Sequence, residues 1–223
     1  METSKQALII GASRGIGLGL ANTLAQRGWN VSATTRNSAP VSDSGIHWLT
    51  VDINEPTQRE TLKNEIEEHS FDLIFINAGM FGPDHQNLDR AKDDELSSLF
   101  LTNAISPVRC ASELLPLLSQ QNGTLALMTS QLASLTENPT ATYPLYSASK
   151  AALNMLSREL KDRLSSGQTL LNIHPGWVQT DMGGESATLT VEQSTSGIVD
   201  QIALWSGKGG HHYIDYAGNQ LSW

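Results

Sequence analysis

Short apolar runs alternate along this chain with longer amphipathic segments. Runs that end at glycine or polar residues predict buried strands, over residues 7–10, 29–35, 46–51, 71–76, 123–129 and 169–173. Apolar residues recurring every three or four positions predict helices, over residues 18–28, 56–69, 93–118, from Tyr146 onward, and over 191–205. Residues 211–215 are expected to form a last, edge strand. This alternation predicts an α/β fold with a parallel sheet and helices on both faces.

A glycine-rich stretch connects the first predicted strand to the first predicted helix. It runs Gly11-Ala12-Ser13-Arg14-Gly15-Ile16-Gly17. In a strand–loop–helix arrangement, free backbone N–H groups at the helix start can bind a phosphate. Glycines allow the tight turn and the close approach of a pyrophosphate. An ordinary glycine-rich turn is the alternative, but the strand before it and the helix after it favour a dinucleotide site.

The end of the second predicted strand bears on the choice of cofactor. A carboxylate at this position would hydrogen-bond the ribose 2′-OH of NAD, and an arginine nearby accommodates the 2′-phosphate of NADP. Here the strand ends in Thr35 followed by Arg36, and Arg14 lies in the glycine stretch. Guanidinium groups bind phosphate oxygens well. Each arginine alone could be a solvated surface charge, but together they predict NADP(H) rather than NAD(H).

Tyr146 and Lys150 are four residues apart on a predicted helix, so they share one face. The pKa of a phenol is about 10, and a nearby cation lowers it. A lowered pKa suits proton transfer near neutral pH. The alternative is a core tyrosine beside a solvated lysine. Tyr143 has no such lysine, because the residue four positions on is Ser147. Ser130 ends a predicted strand, where ligands of open α/β sheets bind, whereas Ser134 lies further from that end.

Composition limits the possible partners. The chain has 223 residues, a net charge of −9 and one cysteine. This acidic balance argues against nucleic acid and anionic membranes as partners, and the lone cysteine suits a reducing cytoplasm. We find neither a signal peptide nor an apolar run near the roughly 18 residues that span a bilayer. Adjacent His211 and His212 would point to opposite sides of a strand, which argues against a metal site.

Several motifs together resemble the short-chain dehydrogenase/reductase family. They are the Gly-x-x-x-Gly-x-Gly spacing, Asn77-Ala78-Gly79, Asn103, Ser130, Tyr146-x-x-x-Lys150 and Pro175-Gly176, in the family's order. The runs 150–154, 174–182 and 215–223 are similar to the C-factor and sniffer-type carbonyl reductase branch. Two departures, a longer separation between Ser130 and Tyr146 and Ala133-Ser134 in place of the frequent Gly-Ser, concern substrate shape more than chemistry.

The resemblance implies one Rossmann-type, doubly wound parallel-sheet domain over residues 1–223, with a short substrate lid near 180–195. It implies hydride transfer from NADPH to the carbonyl of a small ketone, aldehyde or quinone. Ser130 would polarise the carbonyl and Tyr146 would protonate the alkoxide. Lys150 would lower the pKa of Tyr146 and bind the nicotinamide ribose, and Asn103, at a helix kink near Pro107, would hold a relay water.

The resemblance also implies a cofactor site, and the expected contacts are Gly11, Ser13, Arg14, Gly15, Ile16, Gly17, Arg36, Asp52, Ile53, Asn77, Ala78, Gly79, Tyr146, Lys150, Pro175, Gly176, Val178 and Thr180. Asp52 has a second interpretation, as a loop-end cap. Family packing implies a homodimer or homotetramer through residues 103–118 and 153–164. An NADP(H)-binding signalling protein of the C-factor type, with little turnover, is the alternative function.

Overall fold

Seven parallel strands build the sheet at the centre of the computed structural model, which describes residues 4–38, 40 and 45–223. The strands are β1 (Gln6–Ile10), β2 (Asn30–Thr35), β3 (His47–Thr50), β4 (Leu73–Ile76), β5 (Thr124–Met128), β6 (Thr169–His174) and β7 (His211–Asp215). Their order is β3-β2-β1-β4-β5-β6-β7, so the chain reverses direction across the sheet between β1 and β4. The predicted doubly wound parallel sheet is therefore confirmed.

Helices cover both faces of this sheet. They are α1 (Gly15–Gln26), α2 (Pro56–Glu65), α3 (Asp93–Phe100), α4 (Ser106–Leu114), α5 (Pro144–Lys161) and α6 (Val191–Trp205). Along β1, Leu8 and Ile10 join a core with α2, α4 and α5, whereas Ala7 and Ile9 join a second core with α1 and α6. Burial on both faces explains why the strands are continuous apolar runs rather than alternating ones.

The long helix predicted over residues 93–118 is divided into shorter pieces. Between α3 and α4 lies a π-helical turn, Leu101–Ile105, and α4 is followed by a 3₁₀ turn, Leu115–Leu117. Pro107 stands in the first turn of α4, where its missing N–H costs little. The predicted disturbance near Pro107 thus takes the form of a π-bulge that contains Asn103.

Other element boundaries differ from the predictions by a few residues. The helix of Tyr146 begins at Pro144, and the helix predicted over residues 56–69 ends at Glu65. The predicted lid over 180–195 overlaps α6, which begins at Val191 behind a capping box of Thr190 and Gln193. The predicted loop 37–45 lies partly outside the described residues. None of the helices that the structure describes is long and apolar enough to cross a membrane.

Candidate active site

The predicted site residues gather at the carboxyl edge of the sheet. Gly11 follows β1, Asn77 follows β4, Ser130 lies just beyond β5, and Pro175 follows β6. The reversal of strand order between β1 and β4 makes this edge the place where open α/β sheets bind ligands.

The glycine stretch is packed too tightly for larger residues. A Cβ on Gly17 would stand 2.2 Å from the Gly11 carbonyl oxygen and 2.6 Å from Asn77 Nδ2, and one on Gly11 would stand 2.9 Å from the backbone of Ala78. Gly11 and Gly15 have φ of +86° and +54°, which favours glycine. Asn77 Nδ2 donates a 2.7 Å hydrogen bond to the Gly11 carbonyl, so the end of β4 is tied to the loop.

The start of α1 presents unpaired backbone donors towards this loop. Arg14 is the N-cap residue of α1, and its side chain makes no capping hydrogen bond. The first N–H groups of a helix have no partner within the helix, and they attract anions. Ser13 and Arg14 are exposed here, and Ile16 packs against the core formed with α1 and α6.

Arg14 has a partner that its sequence position did not suggest. Its guanidinium makes an ion pair with Asp181, and the two side chains are 73% and 76% exposed. The exposed Arg36 follows Thr35, which is buried and whose hydroxyl accepts a hydrogen bond from the Asn37 N–H. Because Arg14 and Asp181 are exposed, this ion pair is weak and an anionic ligand can compete for the guanidinium.

Asp52 and Ile53 make contacts within their own segment. The Asp52 carboxylate accepts a 2.9 Å hydrogen bond from the Asn54 N–H, which is the local cap considered as an alternative role. The Ile53 side chain is buried in the core, and its carbonyl accepts a 2.7 Å hydrogen bond from Arg59. Arg59 in turn pairs with Glu113 on α4. This region is therefore braced from within the protein.

Tyr146 and Ser130 are brought together at the site. Burial raises the pKa of Tyr146 to about 12, and the adjacent Ser130 side chain opposes this rise because it can hydrogen-bond the phenolate. The direction is opposite to the lowering predicted from Lys150, because burial disfavours the phenolate. Ser130 itself is buried and caps a short 3₁₀ turn by accepting a hydrogen bond from the Leu132 N–H. The hydroxyl of Tyr213, on β7, donates a hydrogen bond to the Ser130 carbonyl and so fixes the Ser130 backbone.

Lys150 is buried below the ring of Tyr146. Its Nζ lies 6.0 Å from the ring centroid and donates a 2.9 Å hydrogen bond to the Met128 carbonyl at the end of β5. Burial lowers the Lys150 pKa from 10.5 to about 8. A Cβ placed on Gly79 would be 3.2 Å from Lys150 Nζ. The ammonium thus lies between the Met128 carbonyl at the end of β5, Gly79 beyond the end of β4, and the face of the Tyr146 ring.

The Asn103 side chain is fully engaged with protein groups. Its Oδ1 accepts a 2.8 Å hydrogen bond from the Met80 N–H, and its Nδ2 donates to the Met80 carbonyl and to the Ser149 hydroxyl. Ser149 in turn donates to the Tyr146 carbonyl. The predicted relay residue therefore also couples the π-helical turn to α5.

The segment after β6 packs against the glycine stretch. Gly176 has φ of +83°, and a Cβ there would collide with Leu189 at 2.3 Å. Val178 is buried and bridges to Leu189, which closes the loop that precedes α6. A Cβ on Gly15 would lie 3.4 Å from Thr180 Cγ2, so Thr180 borders the phosphate-binding stretch. The Pro175 carbonyl accepts a 2.7 Å hydrogen bond from Ser194 on α6.

Two contacts to the site escaped the sequence analysis. Gln86, in the connection between β4 and α3, binds the Tyr146 N–H, and Tyr213 binds the Ser130 carbonyl. The two residues of each pair are more than fifty positions apart in the sequence. No local motif marks Gln86 or Tyr213. Among residues 4–38, 40 and 45–223, no group of three or more His, Cys, Asp or Glu is placed to bind a metal ion.

The fold and these motifs agree with the comparisons to known proteins. Residues 5–189 match the short chain dehydrogenase family, so the chain belongs to that family. C-signal of Myxococcus xanthus is 38% identical over 160 residues, which cover 68% of this chain and 92% of that protein. The resemblance stated from the motifs is thereby confirmed.

Solved structures extend the similarity to nearly the whole chain. A carbonyl reductase from Pseudomonas aeruginosa PAO1 in complex with NADP is 39% identical, with a TM-score of 0.90, and the match covers 99% of this chain and 100% of that one. A short-chain dehydrogenase/reductase from Burkholderia multivorans with bound NADP is 31% identical, with a TM-score of 0.93 and the same coverage.

Proposed function

We propose that this protein is an NADPH-dependent carbonyl reductase. The observation that carries the proposal is the convergence of Ser130, Tyr146 and Lys150 at the sheet edge where the glycine stretch opens onto α1. A protein that only bound a dinucleotide would need the glycine stretch alone. The NADP complex of the similar Pseudomonas aeruginosa carbonyl reductase supports the same reaction class and cofactor.

The protein's own groups fit a dinucleotide phosphate. The glycine stretch requires glycine at three positions, because a Cβ would collide with neighbouring atoms or because φ is positive; these are Gly11, Gly15 and Gly17. Without side chains there, the loop backbone is accessible to a phosphate. The α1 N-terminus supplies unpaired N–H groups and a favourable dipole. Arg14 and Arg36 supply guanidinium groups for a 2′-phosphate, and Arg14 would exchange Asp181 for it.

The side chains divide the work of carbonyl reduction between them. Bound NADPH would supply the hydride. Tyr146, with a pKa of about 12, is protonated at neutral pH and donates its phenolic proton to the alkoxide oxygen. Ser130 lies beside that phenol and donates a hydrogen bond to the same substrate oxygen. The Ser130 hydrogen bond then stabilises the phenolate that remains.

Lys150 supplies the positive charge of the site. Its pKa of about 8 leaves it mostly protonated at pH 7. An ammonium 6.0 Å from the Tyr146 ring stabilises the phenolate formed as the proton leaves. Asn103 orients the π-helical turn through Met80 and Ser149. The proton that restores Tyr146 would then pass along this side of the site from solvent.

The proposal is tested by following NADPH absorbance with a panel of aldehydes, ketones, diketones and quinones, with NADH in parallel. Turnover with NADPH, and at least about tenfold less with NADH, is the expected result. Turnover with NADH alone would contradict the cofactor assignment. If the purified protein binds NADPH tightly and reduces no member of the panel, the reductase assignment fails.

A signalling function is the second candidate, and the 38% identity to C-signal is what favours it. In that case NADPH binding alone would change self-association or the capture of another protein, and Tyr146→Phe would leave that response intact. Sedimentation of the wild type and of Tyr146→Phe, each with and without NADPH, distinguishes the signalling function from the catalytic one. The Ser130–Tyr146–Lys150 arrangement is unexplained by signalling, so we place catalysis first.

A further inference from the structure

Gln86 is the one buried residue of the connection between β4 and α3, residues 77–92, where the other residues are half-buried or exposed. It is 7% exposed, and its backbone adopts φ of +47°, which is uncommon for a residue with a Cβ. A strained conformation of this kind persists only where surrounding contacts enforce it. The contacts that do so here lead directly to Tyr146.

The Gln86 amide bridges two segments with three hydrogen bonds. Its Oε1 accepts a 2.9 Å hydrogen bond from the Tyr146 N–H, sixty residues along the chain. Its Nε2 donates to the carbonyls of Phe81 at 3.1 Å and Pro83 at 2.9 Å. One side chain therefore fixes the fold of its own connection and attaches that connection to the first turn of α5.

The hydrogen bond to Tyr146 replaces a cap that α5 lacks. Tyr143 is the N-cap residue of α5, has φ of +49° and makes no side-chain capping bond. The first N–H groups of a helix need partners from outside it, and Gln86 provides one at Tyr146. The Phe81 ring also packs against the Tyr146 ring at a centroid distance of 5.5 Å and against Tyr143 at 5.1 Å.

We propose that Gln86 is a positioning residue for the acid Tyr146, an inference that rests on the reductase function proposed above. Its hydrogen bond to the Tyr146 N–H fixes the position of the Tyr146 backbone directly. Its hydrogen bond to the Phe81 carbonyl fixes Phe81, whose ring packs against one side of the Tyr146 ring. Asn103 binds Met80 of the same connection at both its N–H and its carbonyl. The connection is thus attached to the site at two points, Met80 and Gln86.

The test uses Gln86→Met, which keeps side-chain length and removes all three hydrogen bonds. A displacement of about 1 Å at a catalytic group can cost on the order of a hundredfold in rate. We therefore expect kcat to fall about 10- to 100-fold. The KM for NADPH should change less than about threefold, because the side-chain hydrogen bonds of Gln86 go to Phe81, Pro83 and Tyr146 and not to the glycine stretch.

Gln168→Met is the matched control. Gln168 is 2% exposed, and its amide also makes three hydrogen bonds, to the Leu118 and Ser119 carbonyls and from the Ser165 N–H. It lies just before β6, at the opposite edge of the sheet from the site. Both variants should lose similar thermal stability, and only Gln86→Met should lose kcat and show a larger solvent deuterium isotope effect.

The outcomes separate the two proposals. Suppose that the wild type reduces a carbonyl substrate. If Gln86→Met then has the same kcat as the wild type, or if kcat falls equally in Gln86→Met and Gln168→Met, the positioning role is overturned and the reductase function stands. No wild-type turnover would overturn both. If Gln86→Met does not fold, Gln86→Asn decides by the same criteria, because its shorter side chain cannot reach Tyr146. Failure of both variants to fold would assign Gln86 a purely structural role.

Discussion

Replacing Lys150 with methionine should make the protein more stable while removing its activity. Lys150 is 3% exposed, and burial lowers its pKa from 10.5 to about 8. That difference means that the charged form costs the folded state about 3 kcal/mol. Methionine has a similar shape and no charge, but it leaves the Met128 carbonyl without its donor, which costs about 1 kcal/mol. The net expected gain at pH 7 is about 2 kcal/mol.

The gain should depend on pH in a defined direction. Below pH 8, Lys150 is protonated in both the folded and the unfolded protein, so the full cost applies. Between about 8 and 10.5 the folded state releases a proton that the unfolded state retains, and the stability of the wild type rises relative to the variant. The advantage of Lys150→Met should shrink to about 1 kcal/mol at pH 9, and above pH 10.5 the variant should be about 1 kcal/mol less stable than the wild type, because only the lost hydrogen bond to the Met128 carbonyl remains.

Urea unfolding of the wild type and Lys150→Met at pH 7 and pH 9 provides the assay. Lys161→Met is the control, because Lys161 is exposed near the end of the same helix. Its effect on the unfolding free energy should be small and the same at both pH values. A Lys150→Met protein that is less stable than the wild type at pH 7, or whose gain does not change with pH, would refute the reasoning.

Three further substitutions test other parts of the site. Arg14→Ala should weaken NADPH binding about 10- to 100-fold and NADH binding less than about threefold, measured by fluorescence titration, because only NADPH carries the 2′-phosphate; equal losses would contradict this. Gly17→Ala should lower the unfolding free energy by about 3 kcal/mol or more, since its Cβ would stand 2.2 Å from the Gly11 carbonyl oxygen; an unchanged Tm would rule this out. Tyr213→Phe should cost about 1 kcal/mol by removing one of the two hydrogen bonds that the Ser130 carbonyl accepts, the other coming from the Ala133 N–H, and denaturant unfolding measures it; a neutral effect would show that the bond contributes nothing.

The sheet could be predicted from sequence because each central strand is buried on both faces. Strands such as β4 and β5 are therefore continuous apolar runs, which periodicity identifies well. The long helix over 93–118 was harder, because Pro107 is accommodated by a π-helical turn rather than by ending the helical segment. Its interruption was predictable, but its form depends on the contacts of Asn103 with Met80 and Ser149.

The positions of the site residues also followed from motifs, whereas their electrostatics did not. The spacing of Tyr146 and Lys150 predicted that they meet, but the pKa of Tyr146 depends on burial by the whole protein. The pairing of Arg14 with Asp181 joins residues 167 positions apart, and no local pattern marks it. Gln86 was missed for the same reason, since its partner Tyr146 lies in a different segment.

Single-turnover kinetics of Tyr146→Phe test the central claim most directly, with NADPH, the best carbonyl substrate of the panel and a parallel NADPH-binding titration. Tyr143→Phe, three residues earlier, is the control and should keep the wild-type rate. We expect Tyr146→Phe to slow hydride transfer by about 10²- to 10⁴-fold, the usual contribution of a general acid, while the Kd for NADPH changes less than about threefold. A rate close to that of the wild type would show that Tyr146 is not the acid and would contradict the account.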